Sequence, residues 1–146
     1  IMVYAKNDDA CKRLQKIPGV GPLTATAMVA HVGTATQFKN GRAFAASLGL
    51  TPKEHSSGGK QKLMGISKRG NGYVRKLLVH GARAVLSARL SNPAHAEDWE
   101  VKLAKRRGVN IAVVALAAKN ARRIWAMLHS GEWFRTPQAQ ATSACA

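Results

Sequence analysis

Acidic residues are scarce in this sequence. Seven Asp and Glu stand against 23 Lys and Arg in 146 residues, a formal charge of +16. A two-metal nuclease centre needs several carboxylates converging on its ions, and few are free for that task. Asp8 and Asp9 precede one helical pattern, and Glu97, Asp98 and Glu100 open another, where the positive end of a helix dipole favours them. Glu54 and Glu132 are isolated. Metal ligands for strand cleavage are therefore expected on another domain or chain, and no cofactor is expected on this one. Only two cysteines occur, Cys11 and Cys145, with no CxxC pair, which leaves neither a zinc finger nor a disulfide framework. His31, His80, His95 and His129 have no metal-ligand spacing. The longest uncharged apolar stretch, residues 109–118, falls short of the roughly 20 residues that cross a bilayer. The opening residues have the charged and apolar segments in the wrong order for a signal peptide. These absences predict a soluble, cytoplasmic protein with no membrane partner.

What is present is a core and a surplus of positive charge. Hydrophobic residues make up 46% of the chain, enough to fill an interior and too many for a disordered basic tail. A charge of this sign and size points to a polyanion, with nucleic acid ahead of a membrane surface or an acidic protein. Apolar periodicity predicts an all-α domain over residues 1–135, with no strand alternation and no internal repeat. A short basic helix ends near Lys16. Pro22 opens a helix that Gly33 stops, and residues 40–48 form another, ended by Gly49. A Gly-, Ser- and Lys-rich loop over 51–70 separates these from a helical core over 71–131. Within that core a long helix over 71–90 shows apolar residues at spacings of three and four, and Ser91-Asn92-Pro93 breaks it. A helix over 96–107 follows, then a nearly apolar one over 110–128 that reads as the central core helix. Residues 136–146 lack periodicity and read as a disordered tail. The abrupt start at Ile1 suggests a cut from a longer protein.

Two motifs carry chemistry. The first is Ile17-Pro18-Gly19-Val20-Gly21, followed by Pro22 and a run of small residues including Ala25 and Ala27. Gly19 and Gly21 can take positive φ, and their missing side chains let backbone N–H groups approach a phosphate at the next helix start. This is the pattern of a helix-hairpin-helix over residues 8–33, which grips DNA backbone without reading bases; an ordinary αα-corner is the plain alternative. The second motif is His55-Ser56-Ser57-Gly58-Gly59-Lys60-Gln61-Lys62, continued by Gly65-Ile66-Ser67-Lys68-Arg69-Gly70-Asn71. A serine hydroxyl can attack phosphorus and hold a strand covalently when cations stabilise the charge that develops. Lys60, Lys62, Lys68, Arg69 and Arg75 are the local cations. The plain alternative is a flexible Gly-Ser loop with solvated lysines. Like charges in a Gly-rich stretch predict mobility over residues 56–69. Asn71 is the expected N-cap of the long helix. Arg75 and Arg83 lie on one stripe that extends a basic face or is simply solvated. Trp99, Trp125 and Trp133 read as core or interface packing rather than base-stacking groups.

Together, IPGVGPLTATAMVAHVG and FKNGRAFAASLGLTPKEHSSGGKQKLMGISKRGNGYVRKLLVHGARA strongly resemble the C-terminal half of transposases of the insertion sequence 110/116/902 family, over about residues 8–133. The resemblance implies a site-specific recombinase in two parts. One is an RuvC-like domain with an Asp/Glu/Asp/Asp site for Mg2+, which this sequence lacks; the other is a transposase domain with a catalytic serine. It further implies DNA as substrate, a bridge-type guide RNA, assembly into homo-oligomers and a place at the bacterial nucleoid. By position the family's serine falls at Ser57, with Ser56 the alternate. Ser67 matches a structural or backbone-contact position. Nucleic-acid contacts are expected at Gly19, Val20, Gly21, Lys60, Lys62, Lys68, Arg69 and Arg75. The chain alone is not expected to recombine DNA. The competing functions are a non-catalytic helix-hairpin-helix nucleic-acid-binding module and a protein-assembly domain.

Overall fold

Local punctuation sets most of the helix boundaries. In the computed structural model, which describes residues 1–135 and only the backbone at 54–57 and 60–64, α1 (Met2–Asn7) runs into α2 (Asp9–Leu14). Asp8 separates them, and its Oδ2 accepts from the Cys11 amide at 2.7 Å, satisfying a donor that the first turn leaves free. Pro22 occupies the first turn of α3 (Pro22–Val32), and Gly33 at φ +63° ends it. Asn40 caps α4 (Gly41–Ser47) through the Ala43 amide at 2.8 Å. Asn71 caps α5 (Gly72–Leu90) through the amides of Tyr73 and Val74. A 3-10 turn at Pro93–His95 leads to α6 (Trp99–Arg107) and then α7 (Val109–Ser130), which Gly131 closes in the left-handed conformation. The tail over 136–146 lies outside the described residues.

The fold is mostly helical, and α7 is its axis. Ala112, Val113, Leu116, Ala117, Ala121, Ile124 and Met127 are buried along it, and it packs against α2, α4, α5 and α6. Gly41 of α4 lies close against α7, where a Cβ would stand 3.2 Å from the Arg122 Cα. On α5 the buried stripe is Val74, Leu78, Ala82 and Leu86, four apart as a helix face requires. Glu100 departs from the sequence expectation. Besides lying in the first turn of α6 it is 1% exposed, and its carboxylate pairs with Arg89 of α5. Arg89 also lies 3.7 Å from Asp98, which accepts from or pairs with His95 at 2.8 Å. Glu100 and Asp98 therefore tie α6 to α5, while Glu97 pairs with Lys102 of α6 itself at 2.6 Å.

The segment expected as a loop over 51–70 contains the one sheet among the described residues. β1 (Pro52–Ser57) and β2 (Lys60–Ile66) pair antiparallel, with Ser57 opposite Lys60 and Pro52 opposite Ile66. Gly58 and Gly59 take φ of +62° and +79°, the pair of positive values that a two-residue type I′ connection demands. The strands carry mixed polar residues rather than an apolar alternation, which is why periodicity does not reveal them. The Gly-Gly pair is the signal that does.

Candidate nucleic-acid interface

The turn between α2 and α3 is held from behind by two core helices. Gly19, at φ +91°, lies against the backbone of Gly81 on α5: a Cβ on Gly19 would stand 2.9 Å from the Gly81 carbonyl oxygen, and a Cβ on Gly81 would collide with the Gly19 carbonyl. The carbonyl of Pro18 accepts from Nδ2 of Asn120, a buried residue on α7, at 2.9 Å. Arg123 in turn donates to Asn120 Oδ1 at 3.1 Å. Val20 is buried, so Gly19 and Val20 face the protein. Gly21 is exposed, with open space where a Cβ would lie, and it begins α3 without a side-chain cap. Of the three turn residues singled out in the sequence, Gly21 is the one that presents an unencumbered helix start to solvent. Asn120 and Gly81 complete this support, and no local motif marks either.

The base of the hairpin is clamped to the end of α4. Gly49 (φ +73°) runs so close to the 68–69 backbone that a Cβ would come within 2.5 Å of the Arg69 amide nitrogen, and a Cβ on Gly70 (φ +74°) would collide with the Ser47 carbonyl. Lys68 takes φ +56°, uncommon for a residue with a side chain. The Ser67 amide donates to Thr51 O at 2.9 Å and the Lys68 amide to Gly49 O at 3.2 Å. Arg75 closes the arrangement, its Nη1 donating to the carbonyls of Leu48 (3.0 Å) and Arg69 (2.8 Å). Arg75 thus joins α5 to both sides of the hairpin base. Ser67 Oγ is 3.4 Å from the Arg69 amide, a local backbone contact. Lys68 and Arg69 themselves are exposed.

The side chains of Ser56, Ser57, Lys60 and Lys62 lie outside the described residues. Their backbones sit at the turn end of the hairpin, Ser56 opposite Gln61 and His55 opposite Lys62. Both motifs use α5 as support. Arg75 and Gly81 are six residues apart on it, about 9 Å of helix rise. His31 at the end of α3 also meets Asn71, the α5 cap, at 3.5 Å.

Other candidates are dispersed. Arg83 donates to Asn110 at the start of α7. Of the three tryptophans, Trp125 is half-buried, packs against the core and stacks on His129, as expected, whereas Trp99 is partly exposed beneath Lys119 Nζ at 4.4 Å and Trp133 is exposed. Cys11 is buried. Burial, then the hydrogen bond with Asp8, pushes its thiol up to about 11, which keeps it protonated and unreactive near neutrality. Among the described residues, no three His, Cys, Asp or Glu gather as a metal site. No described helix is long and apolar enough to cross a membrane.

Comparison with known proteins adds a family. The model of the transposase IS116/IS110/IS902 family matches residues 11–100, covering the turn, the hairpin and α5. A transposase for insertion sequence element IS1111A from Coxiella burnetii is 50% identical over 135 residues, 92% of this chain and 37% of that protein. A probable family 20 transposase from Pseudomonas aeruginosa is 45% identical over 135 residues, 92% of this chain and 40% of that protein. A transposase for insertion sequence element IS1328 from Yersinia enterocolitica is 37% identical over 131 residues, 90% of this chain and 39% of that protein. The chain spans about two-fifths of the length of these curated relatives.

Proposed function

The chain belongs to the IS116/IS110/IS902 transposase family, and from that premise we propose that it acts in DNA transposition as a DNA-binding domain that supplies a serine nucleophile. The nucleophile is Ser57, with Ser56 the alternate. Its oxygen bonds to a strand phosphorus while the serine proton passes to a base, and the bond from that phosphorus to one sugar oxygen breaks as that oxygen takes up a proton and leaves as a hydroxyl. The phosphoserine bond conserves the diester for rejoining when a sugar hydroxyl attacks it in the reverse sense. Lys60, Lys62, Lys68 and Arg69 offset the negative charge that grows on the phosphoryl oxygens. The observation supporting this reading is the hairpin: it carries the serine pair at a two-residue Gly-Gly turn, opposite a Lys-bearing strand, on a base fixed by Arg75.

The helix-hairpin-helix reading of residues 8–33 supplies backbone grip. Amides at the start of α3 near Gly21 meet a phosphate, while Gly19 and Val20 set the turn against α5. Mg2+ belongs to an RuvC-like part of the same polypeptide, which the acid-poor composition leaves to residues other than these. A bridge-type guide RNA and a homo-oligomer complete the proposed assembly.

The test is Ser57→Ala in the full-length transposase. Covalent capture of DNA is expected to disappear while binding persists, and Ser56→Ala is expected to retain capture. Normal strand exchange by both variants would overturn the reading and favour a non-catalytic nucleic-acid module.

A further inference from the structure

Beginning three residues beyond Asn120, the end of α7 and the chain after it line a cleft of about 290 Å³, with Arg123, Ser130, Glu132, Trp133, Phe134 and Arg135 among its walls. That size is near the lower end for small-ligand sites. Its contents are unlike an ordinary surface groove. The Arg123 guanidinium stands 5.2 Å from the centre of the Phe134 ring and spends one nitrogen on Asn120. Among the described residues no carboxylate lies within ion-pair reach of it. Burial, and then the charges of Arg89 and Arg122, press its pKa below the ordinary arginine value, so this cation is short of an anion. Trp133, which is 53% exposed, lines the same cleft.

We infer that this cleft takes an unpaired nucleotide of a single-stranded nucleic-acid segment, its base against Trp133 and its phosphate on Arg123 and Arg135. Each part of a nucleotide has a matching group. A base stacks on an aromatic face, a phosphate takes the fork of an arginine, and Glu132 is an acceptor suited to an exocyclic amino group. A duplex does not fit, because its base faces are already stacked on one another. Charge complementarity favours this occupant over a second copy of the chain, which carries the same +16. The inference goes beyond the proposed serine chemistry and does not depend on it.

Fluorescence anisotropy with the 146-residue chain tests it, using a short labelled single strand, as DNA and as RNA of the same sequence, and the matching DNA duplex. Trp133→Ala is expected to weaken single-strand binding about five- to a hundredfold, the range of one base–aromatic stack, and duplex binding by no more than about twofold. Trp133→Phe is expected to restore most of the loss. The loss with DNA, with RNA or with both identifies the source of the nucleotide. Circular dichroism on the variants checks that the exposed substitution leaves the fold intact. An unchanged single-strand affinity, or an equal loss on single strand and duplex, would overturn the inference. So would light scattering that shows a dimer dissolved by Trp133→Ala.

Discussion

At Gly81 a hydrogen atom in place of a methyl group lets the 18–21 turn rest on α5. A Cβ there meets the Gly19 carbonyl, which is backbone and cannot swing aside as a flexible side chain can. Gly81→Ala is therefore expected to destabilise the protein by about 2–3 kcal/mol, the upper range for overpacking, read as a lower urea midpoint at unchanged slope. An unaltered midpoint would mean that the turn is not seated as described. The residue scale also corrects the simplest account of the Pro-Gly-Val-Gly motif. Its glycines have separate tasks: Gly19 serves a helix–backbone contact, and Gly21 leaves the α3 start open. Sequence spacing marks both as unusual without dividing the work between them. The partner atoms are 62 residues away at Gly81 and 102 residues away at Asn120.

At the scale of elements, one arginine ties the base of the hairpin to α5. Arg75→Met leaves the carbonyls of Leu48 and Arg69 without their donor, at a cost of about 1–3 kcal/mol if neither finds water. The Ser67 and Lys68 amides, bonded across the hairpin base, are expected to exchange faster with solvent in this variant. Amides in the middle of α7 are expected to keep their protection relative to global stability. Uniform loss everywhere would show that Arg75 supports the whole fold and not the hairpin. Helix boundaries are largely legible in the sequence because Pro22, Gly33, Asn40, Asn71 and Gly131 act locally, through caps and left-handed turns. The hairpin is not, because its strands are too polar to show a period of two. Glu100 is legible only as a first-turn acid, because its partner Arg89 lies on a different helix.

For the whole molecule, the charge is expected to govern association, while packing holds the fold. With +16 on the chain, nucleic-acid affinity is expected to fall linearly on a plot of log K against log salt. Replacing exposed Lys68 and Arg69 by Ala is expected to flatten the slope for duplex DNA by about 0.9 for each phosphate that they neutralise. An unchanged slope would place the phosphate-binding surface elsewhere on the molecule. The sequence by itself determined the sign of that charge, the helical character, most helix ends and the motifs that mark the family. Each rests on residue type or on interactions within a few positions along the chain. Only the tertiary structure decided which residue of the 19–21 turn faces solvent. It set Gly19 against Gly81, gave Arg75 two carbonyls to hold, paired Glu100 with Arg89 and brought Arg123 beside Phe134. Most of these pairings join residues far apart in sequence, and even the nearer ones depend on how helices and turns come to lie against one another.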